Sequence, residues 1–188
     1  MIRLGIVGTG GIARTHALAV PVQGDCELVA AVNHREESMA AFAKECDIQR
    51  QYFTIEDLIE AGDVDAVIIC TPNFLHAPQT IAALQAGIHV MVEKPMAMTA
   101  PEAKQMLDVS KTTGSILQVA HCWRFDGEVQ YMREQVTSGM IGNIIRTKGY
   151  SVHQHWGPSG WFTRKALSGG GALADMGVQA VDGGRLRL

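Results

Sequence analysis

No apolar run in this sequence approaches the roughly 20 residues that a membrane-spanning helix requires. Nor does the first apolar segment follow the charged region, or lead to the cleavage site, that a secretion signal carries. Both absences lead us to expect a cytoplasmic protein with no membrane partner. Basic residues show no excess, since 16 Lys and Arg stand against 19 Asp and Glu for a formal net charge of −3, and a nucleic-acid partner is excluded for lack of a basic face. Cysteines are few and scattered: Cys26, Cys46, Cys70 and Cys122 occur singly, without a C-x-x-C pair. That spacing speaks against a disulfide framework and against a zinc site, and it leaves buried free thiols. The remainder, 47% hydrophobic and 19% charged over 188 residues, is ordinary for a globular chain that binds a small molecule. The length suits one large domain or one domain with part of another.

Glycine, by contrast, stands at a junction. Residues 2–7 (Ile-Arg-Leu-Gly-Ile-Val) form an apolar, β-branched run that breaks into Gly8-Thr9-Gly10-Gly11 and resumes as Ile12-Ala13 with helical periodicity. This reads as a strand, a tight turn and a helix start. Gly8, Gly10 and Ala13 take the three small-residue positions of the dinucleotide-binding fingerprint. The first serves the turn, the second the close approach of backbone to a pyrophosphate, and the third the packing of helix on strand. Phosphates would sit at the helix N-terminus, where unpaired N–H groups and the helix dipole favour negative charge. Gly8, Thr9, Gly10, Gly11, Ile12 and Ala13 are therefore the first candidate cofactor residues. The competing reading is an ordinary βα turn.

The helical pattern after Ile12 is expected to stop at Pro21 and Gly24, and residues 27–32 form a nearly all-apolar second strand, as for a parallel strand covered on both faces. Its tip bears on cofactor choice. A carboxylate there would bond an adenosine ribose, whereas an arginine can receive a 2′-phosphate. The chain offers Asn33, His34 and Arg35, which favours NADP slightly over NAD. A helix over residues 36–46 and a strand over 51–53 follow. Thr54 with Asp57 then reads as the cap of a helix ending at Gly62. Residues 64–70 form another buried strand, broken by Thr71-Pro72-Asn73 ahead of a helix over 74–86. Loops after the carboxyl ends of parallel strands line the ligand crevice, so Thr71, Pro72, Asn73 and His76 join the cofactor candidates; for His76 a plain helix-face histidine is the alternative. Residues 89–92 form the next strand, ending in Glu93-Lys94-Pro95. A lysine at the end of a buried strand needs a task or a partner, and Pro95 constrains the backbone beside it, with a cis bond as one means. The alternative is a Glu93–Lys94 surface pair. Thr99 and Glu102 cap a helix to Thr113, and residues 116–120 close the first unit as a strand.

Beyond His121-Cys122-Trp123-Arg124-Phe125 the character changes. A helix spans residues 126–138, and residues 144–155 alternate like a strand with His153 and His155 on one face. That H-x-H lacks a nearby third ligand, so we expect hydrogen-bonded or substrate-facing histidines and no metal site. Gly169-Gly170-Gly171 precedes a helix from Ala172 whose Asp175, Gln179 and Asp182, at spacings of four and seven, share one face. From spacing alone that is a solvated polar face.

Taken in order, Gly8 to Ala13, Cys70-Thr71-Pro72-Asn73 before His76, Glu93-Lys94-Pro95, Trp123-Arg124-Phe125 and the run Gly169-Gly170-Gly171-Ala172-Leu173-Ala174-Asp175-Met176-Gly177 resemble the Gfo/Idh/MocA family of NAD(P)-dependent oxidoreductases. The resemblance covers almost the whole chain. It implies an α/β fold: a Rossmann NAD(P)-binding domain with a parallel sheet (1–120), then an α/β domain with a large, mostly antiparallel sheet, here only begun (121–188). It implies a sugar, inositol or related polyol as substrate, with Lys94 and Asp175 in the active site beside Glu93 and the cofactor. Two departures stand out. Where the family commonly has a histidine four residues after the aspartate, this chain has Gln179, which can orient a substrate but cannot titrate. Lys94, His153 or His155 would then supply the base. The chain also stops soon after Gly183-Gly184-Arg185, which reads as a truncated member. The expected function is hydride transfer between nicotinamide and polyol, with Lys94, Asp175 and Gln179 as catalytic candidates. The alternative is a nucleotide-binding protein without catalysis. A shortened chain would also form a homo-oligomer to cover exposed apolar surface.

Overall fold

A computed structural model describes residues 1–150 and 159–185. The chain divides into two compact units, Met1–Val119 and Ala120–Leu188.

The first unit is built on strands β1 (Ile2–Val7), β2 (Cys26–Val32), β3 (Arg50–Tyr52), β4 (Ala66–Ile69), β5 (His89–Glu93) and β6 (Leu117–Ala120). They lie side by side in the order β3-β2-β1-β4-β5-β6. The pairings of β1 with β2 and β4, of β2 with β3, and of β4 with β5 are parallel. Between them run α1 (Gly11–Gln23), α2 (Glu36–Glu45), α3 (Ile55–Ala61), α4 (Asn73–Gln85) and α5 (Ala100–Thr113). The nearly continuous apolar strands follow from cover on both faces. Alternation then sends neighbours to opposite sides: Val7, Ala30, Val32 and Ile69 enter one core with Leu84 and Met106, while Ile6, Ala31 and Ile68 enter the other with Phe42. Register aligns the strand ends, with Val7 beside Val32 and Ile69, and Ile69 beside Val92. The segments that leave β1, β2, β4 and β5 therefore emerge along one edge. The order of strands reverses between β1 and β4, the topological switch point where α/β sheets bind ligands.

Local signals account for most helix ends. Thr54 with Asp57 and Thr99 with Glu102 form reciprocal capping boxes, and Gly24, Gly62 and Gly114 close their helices in the left-handed conformation. Pro21 does not stop α1 as expected; it lies inside the helix, which ends at Gly24. In the last turn a proline removes one donor and already has a helical φ, so the termination falls to the glycine. The third strand begins and ends one residue earlier than its pattern suggested, at Arg50 and Tyr52.

One surface pair ties β1 to the loop before β4. Arg3 donates from its backbone N to Asp65 Oδ2 at 2.8 Å and from Nη2 to Oδ1 at 2.7 Å. Those bonds pull the Asp65 carboxyl down to about 2. Because the folded value lies below the unfolded one, near 4, the pair stabilises the fold fully above pH 4 and loses its contribution as pH falls towards 2. Asp65→Asn is expected to lower the urea midpoint at pH 7 more than at pH 3, and so to flatten this part of the acid-denaturation curve, which urea melts at the two pH values will check.

The second unit opens with a 3₁₀ turn, Cys122–Phe125, followed by α6 (Gly127–Thr137), which Asp126 caps by accepting from the N–H groups of Glu128 and Val129. After the undescribed stretch come a 3₁₀ turn at Gly160–Thr163, α7 (Lys165–Ser168), a π-helical stretch at Leu173–Gly177 and α8 (Val178–Arg185). Residues 144–150 form no strand, contrary to their alternating pattern, and His153 and His155 lie outside the described residues. The reason is physical: alternation selects a strand only where a neighbouring strand takes up its N–H and C=O groups, and among the described residues none lies beside this one.

Candidate functional site

The turn after β1 is shaped by two kinds of glycine. Gly8 has φ +92°, and a Cβ there would lie 2.8 Å from the carbonyl oxygen of Cys70, so only glycine fits between β1 and β4. Gly10 and Gly11 face open space, with nothing within 4 Å of an added Cβ. Gly10 caps α1 without any side-chain hydrogen bond, and the first turn carries no acidic residue. The opening N–H groups of α1 therefore lie at an exposed turn with no side chain over them, an arrangement that fits an anion such as a pyrophosphate. Ala13 is fully buried against the sheet, whereas Ile12 stands half exposed.

The tip of β2 is joined to this turn. Asn33 donates from Nδ2 to Thr9 Oγ1 at 2.5 Å, and Asn33 Oδ1 accepts from the Arg35 backbone N at 3.1 Å. Thr9 is buried and its side chain is taken up by Asn33 and Ser38, so it braces the loop. His34 and Arg35 are exposed.

At the ends of β4 and β5 the fold gathers a denser set. Pro72 precedes α4, Asn73 is buried in its first turn, and Thr71 donates from Oγ1 to Gln79 Oε1 at 2.6 Å. His76 is only 1% exposed. Its Nδ1 lies 2.8 Å from the Pro95 carbonyl oxygen and its Nε2 2.8 Å from that of Thr71. Both ring nitrogens face carbonyl oxygens, and the ring N–H that donates to one of them braces α4 against the adjoining loops. Burial pulls its pKa below the ordinary histidine value, while the two carbonyls and Glu93 pull the other way. Glu93 is 9% exposed, so it is not half of a surface pair with Lys94. Its Oε1 lies 2.8 Å from His16 Nε2, and its Oε2 accepts the Lys94 backbone N–H at 3.0 Å. Lys94 is half-buried, one residue past β5, and the Lys94–Pro95 peptide is cis.

In the second unit the helix carrying Asp175 is wound as a π-helix over Leu173–Gly177 before it becomes α8. The wider turn rotates Asp175 relative to Gln179 and Asp182 from where an unbroken α-helix would set it. The expected solvated face is not observed. Gln179 is 3% exposed and Asp182 is buried, because this face packs on residues 121–124. Arg124 grips Asp182 with Nε and Nη2, at 2.6 and 2.5 Å, and that grip lowers the Asp182 pKa. His121 Nε2 stands 3.8 Å from the same carboxylate. Gln179 donates from Nε2 to Cys122 Sγ at 3.6 Å, while its Oε1 is buried with no hydrogen-bond partner among the described residues.

The sequence assigned no role to two participants. His16 was an ordinary position on α1, and Arg124 belonged to a quoted motif without a role. Their partners lie 77 and 58 residues away, beyond the reach of any local pattern.

A parallel sheet of this order, with exposed glycines at its first βα turn, defines a dinucleotide-binding Rossmann unit. The chain belongs to the Gfo/Idh/MocA oxidoreductase family. The family's profile described as "Oxidoreductase family, NAD-binding Rossmann fold" matches residues 2–121, and that of the GFO/IDH/MocA C-terminal domain matches residues 129–186. D-glucoside 3-dehydrogenase of Escherichia coli (strain K12) is 36% identical over 184 residues, which cover 96% of this chain and 52% of that protein. The crystal structure of scyllo-inositol dehydrogenase from Lactobacillus casei with bound NAD(H) and scyllo-inositol is 28% identical, with a TM-score of 0.72 over 76% of this chain and 43% of that one. GenD2 from gentamicin A biosynthesis, solved in complex with NAD, matches in fold with a TM-score of 0.88 over 99% of this chain and 53% of its own, at 24% identity. The chain thus spans about half the length of the relatives it matches.

Proposed function

We propose that this chain binds NAD(P) along the carboxyl edge of its parallel sheet and serves hydride transfer between the nicotinamide and a sugar, inositol or related polyol. The observation that carries the reading is the half-buried Lys94 directly after β5, on the same sheet edge as the exposed turn at Gly10 and Gly11. When bound, the nicotinamide supplies hydride acceptance or donation. Lys94 holds and polarises the substrate oxygen. Asp175 and Gln179 are the further catalytic candidates, Gln179 able to orient a substrate but never to take a proton. Pyrophosphate would rest on Gly8, Thr9, Gly10, Gly11, Ile12 and Ala13. Asn33, His34 and Arg35 would meet the adenosine ribose, and Thr71, Pro72, Asn73 and Glu93 would border the nicotinamide end.

A second reading, nucleotide binding without catalysis, is favoured by one observation: the amide of Gln179 stands where proton removal from an alcohol calls for a titrating group. Fluorescence titration with NADH and NADPH, followed by steady-state assays on a polyol panel, separates the two. Binding with turnover supports the enzyme. Binding without turnover, unchanged in Gln179→His, supports the second reading.

Exposed Arg35 at the tip of β2, with no carboxylate on Asn33 or His34, supports a preference for NADP. Arg35→Asp is expected to move the ratio of NADPH to NADH affinity about tenfold towards NADH, and an unmoved ratio would remove Arg35 from cofactor choice. The second unit exposes Phe125, Met140, Ile145 and Leu173, and we propose that a second copy of the chain covers them. Light scattering is expected to give the mass of a dimer; a monomer would refute this.

A further inference from the structure

We infer that His16 is a positioning residue for Lys94, acting through the Glu93 carboxylate. The inference rests on the proposed role of Lys94 and extends it to a residue on another element. Glu93 is the last residue of β5, and its side chain is 11% exposed. A carboxylate so removed from water needs its oxygens occupied. One accepts the Lys94 backbone N–H at 3.0 Å and the other meets His16 Nε2 at 2.8 Å. The first contact shapes the turn from which the lysine side chain departs. The second anchors that turn to α1, whose opening residues Gly10 and Gly11 lie at the exposed turn proposed for the cofactor phosphates.

His16 must carry a proton on Nε2 to donate to a carboxylate, and it does so both as the neutral Nε2–H tautomer and as imidazolium. From the other side, His76 Nδ1 lies 2.8 Å from the Pro95 carbonyl oxygen. The three residues 93–95 are thus flanked by two imidazoles, one from the helix of the phosphate turn and one from α4. The consequence is mechanical: seating of phosphate on α1 and placement of the amine after β5 are parts of one hydrogen-bonded chain, Gly10 to α1 to His16 to Glu93 to Lys94. Reaction geometry is steep in such placements, and about 1 Å of error costs on the order of 100-fold in rate.

The test compares His16→Ala, His16→Gln and Glu93→Gln in the full chain, with two readouts. The first is the backbone amide spectrum of ¹⁵N-lysine-labelled protein, in which the Lys94 signal is assigned by its loss in Lys94→Met. His16→Ala is expected to shift or split the Lys94 signal, while Lys104 and Lys111 on α5 keep theirs. His16→Gln, whose Nε2–H reaches a similar point, is expected to restore it. Glu93→Gln probes the same bond from its other end and serves if His16→Ala does not fold. The second readout is kinetic: His16→Ala is expected to lower kcat tenfold or more with the NADH Kd within about twofold, and His16→Gln to recover most of the loss. A Lys94 amide unmoved in folded His16→Ala, or an unchanged kcat in a chain that turns over a polyol, overturns the inference. If the unaltered chain turns over nothing, the proposed function is what fails, and the amide spectrum alone decides whether His16 holds the turn.

Discussion

Gly8→Ala is expected to destabilise the first unit by about 3 kcal/mol and to abolish cofactor binding with it. Two independent effects act at this position. An alanine at φ +92° adopts a conformation that L residues avoid, at a cost of about 1–3 kcal/mol. Its Cβ would also press on the backbone oxygen of Cys70 from 2.8 Å, and backbone cannot swing aside as a flexible side chain would, so overpacking adds about 1–3 kcal/mol. Against a typical stability of about 5–15 kcal/mol the sum is large. The informative control is Gly10→Ser. Gly10 has ordinary φ, faces open space and caps α1 without a side-chain bond, so a serine suits the cap and leaves stability equal or higher. It also covers the turn and occupies the N–H groups offered to phosphate. Urea denaturation and NADH titration on both variants should therefore separate: Gly8→Ala loses fold and ligand together, and Gly10→Ser loses affinity alone, by tenfold or more. Unchanged NADH affinity in a folded Gly10→Ser would mean that no phosphate rests on this turn.

Lys94→Met should have the largest effect on chemistry, lowering turnover of any accepted polyol about 10²- to 10⁴-fold with the NADH Kd little changed. Methionine keeps the length and apolar stem of lysine but cannot donate a hydrogen bond or stabilise negative charge on a substrate oxygen. The lysine is only half-buried, so its replacement leaves the core intact, and a melting curve will verify that. Steady-state kinetics on the best substrate of the panel reads the result. Wild-type turnover in Lys94→Met would remove this residue from the reaction and, with it, the role argued for His16.

Much of the fold was legible because its signals are short-range. The β-branched runs at β1, β2, β4 and β5, the paired caps Thr54 with Asp57 and Thr99 with Glu102, and the closing Gly24, Gly62 and Gly114 each sit within a few residues of the structure they specify. The exceptions are equally instructive. Pro21 was read as a stop, yet the last helical turn tolerates it. Residues 144–150 alternate without forming a strand, since a β pattern expresses itself only where a partner strand exists. In the site, the glycine turn and the lysine after β5 stood out by composition and position. The inward turn of His76, the burial of Gln179 and the ion pair of Arg124 with Asp182 did not, and the expectation of a solvated face on the last helix went the wrong way.

By itself the sequence determined the kind of elements, their alternation, the glycine turn and the family, because backbone propensity, capping and glycine conformation are settled among neighbours in the chain. Tertiary structure alone decided which strands lie adjacent, which polar groups are buried, and that His16 meets Glu93 across 77 residues. Such contacts exist only after the apolar faces of the helices have closed on the sheet, and no local pattern encodes where a distant side chain then comes to rest.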